Sequence, residues 1–440
     1  MKAVLLRRLG CCAAVLAFGA GCPGISARQS GGNSGSPARA ETVVIFPFEN
    51  AGHEADKDWL AEGLAELTAG RLAGHGPLVY SREERLAVLE KLGLPAYSRF
   101  TRATMLKIAA EIDADYVVFG EFDADGPNLR VTARVMGVNP PKLSAPVEES
   151  GAIAGLGELE GRAAWRVLCL LKGSLATDAP CAADSPEAQQ FFHAGATIQA
   201  DALEHYVRGL TAADDETRLR ELREASRLDP NWDEPIYSIG KTYYSRLDCE
   251  TALGWFDRVP SGSPHAADAA FSAGVCHLMR NDPLRAESLF AGLAGGSTPQ
   301  AGGRAEPPEV LNNLGTALLR QARHKEALAD FEQAQQADPG EPDYWFNVGL
   351  AQYLLGDWGA AARALREALR LQPEGQDARE LLLAALDKNG EDEEANALRQ
   401  EAPEPDPRGA RPRQDVTKMN ATTLARLARV RRELNAGVIR

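Results

Sequence analysis

The chain of 440 residues is long enough for two or three domains, and at 44% apolar and 25% charged it has an ordinary globular composition. Its net charge of −14 argues against general nucleic-acid binding, which rests on neutralising phosphates with Lys and Arg. Such a balance suits a protein that binds partners rather than polyanions.

Lys2, Arg7 and Arg8 flank "LGCCAAVLAFGAG", an apolar stretch too short to span a bilayer as a mature helix, so the first 22 residues read as an export signal. Gly19, Ala20 and Gly21 before Cys22 resemble the lipobox of bacterial lipoproteins, in which the Cys is acylated and becomes the new N-terminus. That resemblance implies lipid attachment at Cys22. Gly19 stands where the pattern usually has Leu, and cleavage after Ala40 is the alternative. Pro23 rather than Asp after the Cys implies, by the sorting rules of such lipoproteins, the periplasmic face of the outer membrane. Without lipidation the expected address is soluble periplasm or secretion. "GAGCPG" at 19–24 satisfies G-x-G-x-x-G, but it lacks the preceding strand and following helix that a dinucleotide fingerprint requires, so no cofactor is expected. Residues 23–41 are rich in Gly, Ser and Pro without periodicity and read as a flexible tether.

From 42 to 171 strands and helices alternate. "TVVIFPF" is an apolar strand with Pro47 near its end, where a missing N–H is tolerated. Trp59, Leu60, Gly63, Leu64, Leu67 and Leu72 then fall at helical spacing. "PLVYS" is a short strand, "REERLAVLEKLG" a helix stopped at Gly93, and "RATMLKIAAEID" an amphipathic helix. "ADYVVFGEF" and "NLRVTARVMGV" are strands, the second with Leu129, Val131, Ala133 and Val135 on one face and Arg130, Thr132 and Arg134 on the other. "APVEESGAI" is read as the last strand and "LGELEGRAAWRVLCLLK" as the closing helix, giving a β-α-β-α-α-β-β-β-α domain with a small mixed sheet.

The ordered set "VVIFPFEN", "WLAEGLAELTAGRLA", "LVYSREERL", "IAAEIDADYVVFGEF" and "LRVTARVMGV" resembles the TolB amino-terminal-like domain, which is related to curli-secretion and flagellar outer-membrane accessory lipoproteins. The resemblance implies a non-enzymatic α/β module used in envelope assembly or recognition, often followed by helical repeats.

After a linker at 172–201 the repeats follow. Residues 308–341 and 342–375 align with a period of 34, that of tetratricopeptide (TPR) repeats. Gly315 and Gly349 occupy position 8, Ala327 and Ala361 position 20, Phe331 and Leu365 position 24, and Pro339 and Pro373 position 32. Small residues let two antiparallel helices approach, large ones fill between them, and Pro ends the second helix. The frame extends to 233–266 and 267–300, with a degenerate first copy ending at 232 and capping helices at 376–400. The fold class expected is therefore an α/β N-terminal domain plus an all-α TPR solenoid.

In such arrays positions 2, 5, 9, 12 and 13 line a concave face. By that frame Tyr237, Lys241, Tyr244, Phe271, Leu278, Met279, Asn312, Leu319, Phe346, Leu350 and Tyr353, with Val275 and Leu354, form a groove for a partner peptide or protein. The alternative is that they pack between neighbouring repeats. The basic clamp of chaperone-tail binders is absent, which makes the expected groove apolar and aromatic.

Cys169, Cys181, Cys249 and Cys276 remain after export to an oxidising compartment. A Cys249–Cys276 disulfide is expected because the start of one second helix lies near the end of the next first helix; Cys169–Cys181 is a further pairing, and buried free thiols are the alternative. Residues 401–440 hold a Pro/charged linker and a basic amphipathic helix, read either as a terminal helix docked on the array or as a membrane contact.

The turn after the first strand carries His53, Glu54, Asp56 and Asp58. It lacks the second His of H-E-x-x-H, and Asp56 or Asp58 has a simpler role as a helix N-cap. No catalytic or metal-binding residue is expected. The reading that results is a non-enzymatic envelope scaffold. A sensory or regulatory module is the alternative, and a metal-dependent hydrolase built on the turn comes behind it.

Overall fold

The computed structural model describes residues 41–52, 54–73, 75–96, 98–173, 182–193, 198–295 and 307–400. The export signal, Cys22, the tether up to residue 40, His53, Cys181 and the basic tail at 401–440 lie outside the described residues.

β1 (Thr42–Ile45) is buried along its length. Pro47, with no N–H to donate, follows it, and pairing resumes only as β2 (Glu49–Asn50). A short 3-10 turn, Ala55–Lys57, leads into α1 (Trp59–Leu72). Then come β3 (Leu78–Val79), α2 (Arg82–Lys91) and α3 (Arg102–Glu111). Ser81 and Glu84 cap α2 reciprocally, a capping box that fixes where the helix starts. The long hairpin β4 (Tyr116–Asp125) and β5 (Asn128–Gly137) precedes β6 (Lys142–Leu143), β7 (Val147–Ala152) and α4 (Leu156–Lys172).

β1 lies between β3 and β4, parallel to both, and β2 extends the β4 edge. β5 runs antiparallel to β4 and carries β6 and β7 end to end along its other edge. The period-2 alternation of strands assigns the faces. Val44, Phe46, Val117 and Met136 meet Leu89 of α2 and Met105 and Ile108 of α3. Val43, Ile45, Val118 and Phe122 meet Leu60 and Leu64 of α1 and Val167 and Leu171 of α4.

The second of these cores does not stop at the α/β module. It runs on through Phe191 to Leu203, Val207, Leu222, Trp232 and Ile239. The segment expected as a linker at 172–201 thus contains a packed helix, α5 (Pro186–His193), whose Phe191 is buried beneath Arg71 and beside Trp165. The degenerate first copy is a complete antiparallel pair, α6 (Ala200–Thr211) and α7 (Asp215–Leu228). α6 packs directly on α1, where a Cβ on Gly63 would stand 3.4 Å from Val207.

Four further helix pairs follow: α8 (Asp233–Ser245) with α9 (Cys249–Phe256), α10 (Ala266–Met279) with α11 (Pro283–Gly295), α12 (Pro308–Arg320) with α13 (His324–Ala337), and α14 (Pro342–Leu355) with α15 (Trp358–Leu371). α16 (Gln376–Asn389) and α17 (Asp392–Gln400) close the described chain. The glycine at repeat position 8 has a direct steric cause. A Cβ there would come within 2.6 Å of Phe256 from Gly240, 2.6 Å of Phe290 from Gly274, 2.8 Å of Phe331 from Gly315 and 2.6 Å of Leu365 from Gly349. The large residue at position 24 occupies the volume the glycine leaves empty.

Candidate functional site

The predicted groove residues divide when placed in the structure. Phe271, Leu278, Asn312, Leu319, Phe346 and Leu350 are each at most 1% exposed, so they do not line an open groove. Successive first helices pack against each other and close the concave positions; Asn347 Nδ2 donates to Asn312 Oδ1 at 2.7 Å between α14 and α12. Tyr244 is half-buried against Phe256, and Tyr353 packs on the core of the last repeats. Met279 is exposed, but it sits at the C-terminal end of α10, 3.7 Å from Cys249 Sγ, on the edge where first helices turn into second ones.

Tyr237 and Lys241, from the first good repeat, line a cleft of about 630 Å³ between the array and the α/β module. One wall is α1 at Glu66 and Gly70, β3 with the following Tyr80 and Ser81, and the first turn of α2. The other is Leu203 and Tyr206 of α6, Trp232 before α8, Glu234, Tyr237, Ser238 and Lys241 of α8, and the turn at 262–265. At the rim, Lys241 Nζ stands 3.4 Å from Glu83 Oε1 and 5.5 Å from the Tyr237 ring centroid. Tyr237 stacks on His265 at 4.4 Å, and Tyr206 meets Trp232 edge-on at 4.8 Å.

Buried ion pairs hold the floor. Glu62 of α1 takes Arg82 at 3.1 Å and also pairs with Arg85, whose Nη1 donates to the carbonyl of Ile45 at 2.6 Å. Arg71, at the other end of α1, places Nε 2.6 Å from Glu160 of α4 and donates to the carbonyls of Phe191 and Gly157. These bonds tie α1 to β1, α2, α4 and α5, so the cleft's α/β wall is rigidly set.

The carboxyls of the cleft lie in an unusual field. Burial, with the charge of Glu62 adding to it, pushes Glu66 up to about 8. Burial likewise raises Glu234 well above the carboxylate range, helped by its hydrogen bond with Asp233 and the charges of Asp233 and Glu66. Burial opposes the charge on Asp233, yet hydrogen bonds from Glu234 and Ser263 hold that carboxyl below its ordinary value. The two neighbouring carboxyls are thus displaced in opposite directions. Burial lowers His265 and raises Tyr206. Three buried polar atoms along this wall have no hydrogen-bond partner: Trp232 Nε1, Glu234 Oε2 and His265 Nδ1.

Residues 314–400 match the tetratricopeptide repeat family model. The helix pairs before that match, from α6 on, continue the same TPR-like arrangement. Among solved structures the chain is similar to YrrB, described as a TPR protein with an unusual peptide-binding site (19% identity, 40% of this chain and 88% of that chain, TM-score 0.33). It is also similar to MamA from Desulfovibrio magneticus RS-1 (21% identity, 40% of this chain and 98% of that chain, TM-score 0.36). No curated protein matches the chain.

Within the TPR array Cys249 and Cys276 form a disulfide, with Cα atoms 5.1 Å apart, because the start of α9 lies against the end of α10. Cys169 is disulfide-bonded, while Cys181 lies outside the described residues. The turn before α1 differs from its expected role. Asp58 stands at the N-cap position in helical geometry, and its side chain accepts no bond from the helix. The preceding 3-10 turn already serves the first N–H groups, with Asp58 N–H donating to Ala55 and Ala61 N–H to Asp58. The Asp58 carboxylate instead accepts from Asn50 at 2.7 Å, Glu54 accepts from Gly126 N–H, and Asp56 pairs with Lys57. Among the described residues no three His, Cys, Asp or Glu side chains are grouped to hold a metal.

Sequence reasoning did not find Glu66, Tyr206, Trp232 or His265. One signal was available: the repeat frame itself puts Glu234 at position 2, a concave position. The α/β wall that turns this position into a cleft is not visible from the repeat.

Proposed function

We propose that the chain is a non-enzymatic interaction scaffold of the bacterial envelope. It is held to the outer membrane through a lipid on Cys22, carries a TolB-like module for envelope assembly, and receives a segment of a partner protein at its TPR array. The observation that carries this reading is the cleft of about 630 Å³, walled by both modules, while concave positions farther along the array are closed by packing. A partner segment there contacts both modules at once, a division of labour suited to assembly rather than turnover. The local bonds that occupy Glu54, Asp56 and Asp58 support a structural role for that turn.

A photo-crosslinking residue at Ser238, on the cleft wall, is expected to capture a specific envelope protein in cells, and the same residue at the exposed Gln333 is not. Equal capture at both positions, or none at Ser238, refutes the cleft as the docking site. For the anchor, Cys22→Ser is expected to move the protein from the membrane to the soluble fraction; unchanged partition refutes lipidation.

A further inference from the structure

We propose that the cleft is a receptor for a cationic side chain: a lysine ammonium or arginine guanidinium, carried on an extended segment of the partner, enters between Glu66 and Glu234 and lies against the ring of Tyr206. This rests on the reading that a partner segment occupies the cleft.

The charges of the walls lead to it. Each cation of the cleft already has an anion: Arg82 and Arg85 have Glu62, Arg71 has Glu160, and Lys241 has Glu83. Glu66, Asp233 and Glu234 have no ion-pair partner among the described residues. A desolvated carboxylate without a cation is costly, and its raised protonation is how the protein responds. The upward displacement of Glu66 and Glu234 marks a place where an entering cation is stabilised. An anionic ligand finds no unpaired cation on these walls.

Two independent features point to a ligand. Trp232, only 7% exposed, forms part of the wall with its indole N–H unpartnered, a donor suited to a backbone carbonyl of the segment that carries the cation, and Glu234 Oε2, two residues on, is an unpartnered acceptor for the cation itself. The Tyr206 ring supplies a cation–π face on this wall, whereas the Tyr237 ring is already engaged by His265, stacked at 4.4 Å, and by Lys241 at 5.5 Å. Access is easily gained. The Lys241–Glu83 bridge across the rim is largely exposed, 43% and 63% for the two side chains, and such pairs contribute little. The volume of about 630 Å³ exceeds that of one side chain and matches a short segment carrying it.

The test uses the full chain and three capped tripeptides, acetyl-Gly-Lys-Gly-amide, acetyl-Gly-Arg-Gly-amide and acetyl-Gly-Gln-Gly-amide, with cadaverine and agmatine as free amines. Binding is followed by ligand-observed NMR titration. The Lys or Arg peptide is expected to bind about tenfold more tightly than the Gln peptide. Glu66→Gln, a neutral isostere that leaves the wall's shape intact, is expected to remove that preference, while Glu374→Gln, exposed and outside the cleft, leaves it. Equal binding of all three peptides, or a preference that survives Glu66→Gln, overturns the proposal. Tighter binding of cadaverine or agmatine than of either cationic peptide overturns the polypeptide source. A crosslink at Ser238 without any cation preference keeps the docking site and removes the cation receptor; the preference without a crosslink overturns the partner segment as the carrier of the cation.

Discussion

Replacing Arg71 with Met tests the seam on which both modules depend. Arg71 and Glu160 have side chains only 6% and 2% exposed, with Nε 2.6 Å from the carboxylate. The variant also strips a donor from the carbonyls of Phe191, at 2.9 Å, and Gly157, at 2.5 Å. Breaking one partner out of a buried pair costs about 3–5 kcal/mol. The cost has a pH signature. Burial raises Glu160 to about 7 even with Arg71 beside it. A carboxyl raised above its unfolded value contributes stability that is complete below about pH 4.5 and lost as the pH rises through its folded value. Removing Arg71 raises Glu160 further, so between pH 6 and pH 8 the wild-type group ionises against its arginine while the variant's resists. At about 1.4 kcal/mol per unit, the deficit of Arg71→Met should grow by about 1 kcal/mol over that interval. Urea melts of both chains at pH 6 and pH 8 measure it. Glu66 also titrates in this range, but it is present in both chains and cancels. In a Glu160→Gln background the pH dependence of the deficit should vanish. A deficit below about 1 kcal/mol at both pH values, or one that does not change between them, refutes the reasoning.

Gly274→Ala forces a Cβ to within 2.6 Å of Phe290 and should destabilise by about 1–3 kcal/mol. Gly292→Ala, in the same repeat but with open space around it, should be neutral or stabilise by up to about 1 kcal/mol, so equal thermal shifts for the two would contradict the packing argument. Cys249 and Cys276 should resist alkylation until the protein is reduced. Replacing both with Ser should cost about 3 kcal/mol for a bridge closing a separation of 27 residues, measured by urea melts without reductant. Because Glu66 is raised to about 8, wild type should lose stability from pH 5 to pH 9 that Glu66→Gln retains; parallel pH–stability curves would count against an unpaired carboxyl in the cleft.

The 34-residue spacing of glycine and bulky apolar residues was legible because it is a local steric requirement, met within one helix pair each time. The sheet faces were legible for the same reason: alternation along NLRVTARVMGV states which side of β5 is buried. The groove was not. Position numbers say which side of a first helix faces its neighbours, but how tightly successive first helices close depends on pairs such as Asn312 and Asn347 across repeats. The packed α5 was missed because its residues belong to no repeat and Phe191 is buried by α1 and α4, both distant in sequence. Asp58 looked like a cap because composition does not reveal that a 3-10 turn runs straight into α1. The cleft escaped for a related reason: Glu66 and Glu234 belong to different modules, and only the docking of α6 on α1 brings their walls together.

The core shared between α1, α4 and the first helix pairs gives the array a direction. A repeat solenoid with two free ends can unzip from either. Here the N-terminal end has no free face, since Leu203 and Val207 of α6 are covered by the α/β module. Fraying at low cost is left to the other end, where α17 offers Ala395 as its one fully buried anchor among the described residues. In hydrogen exchange, protection should therefore fall along the array from α8 toward α17. The cleft, at the far end from the fraying, stays built while the C-terminal repeats open and close.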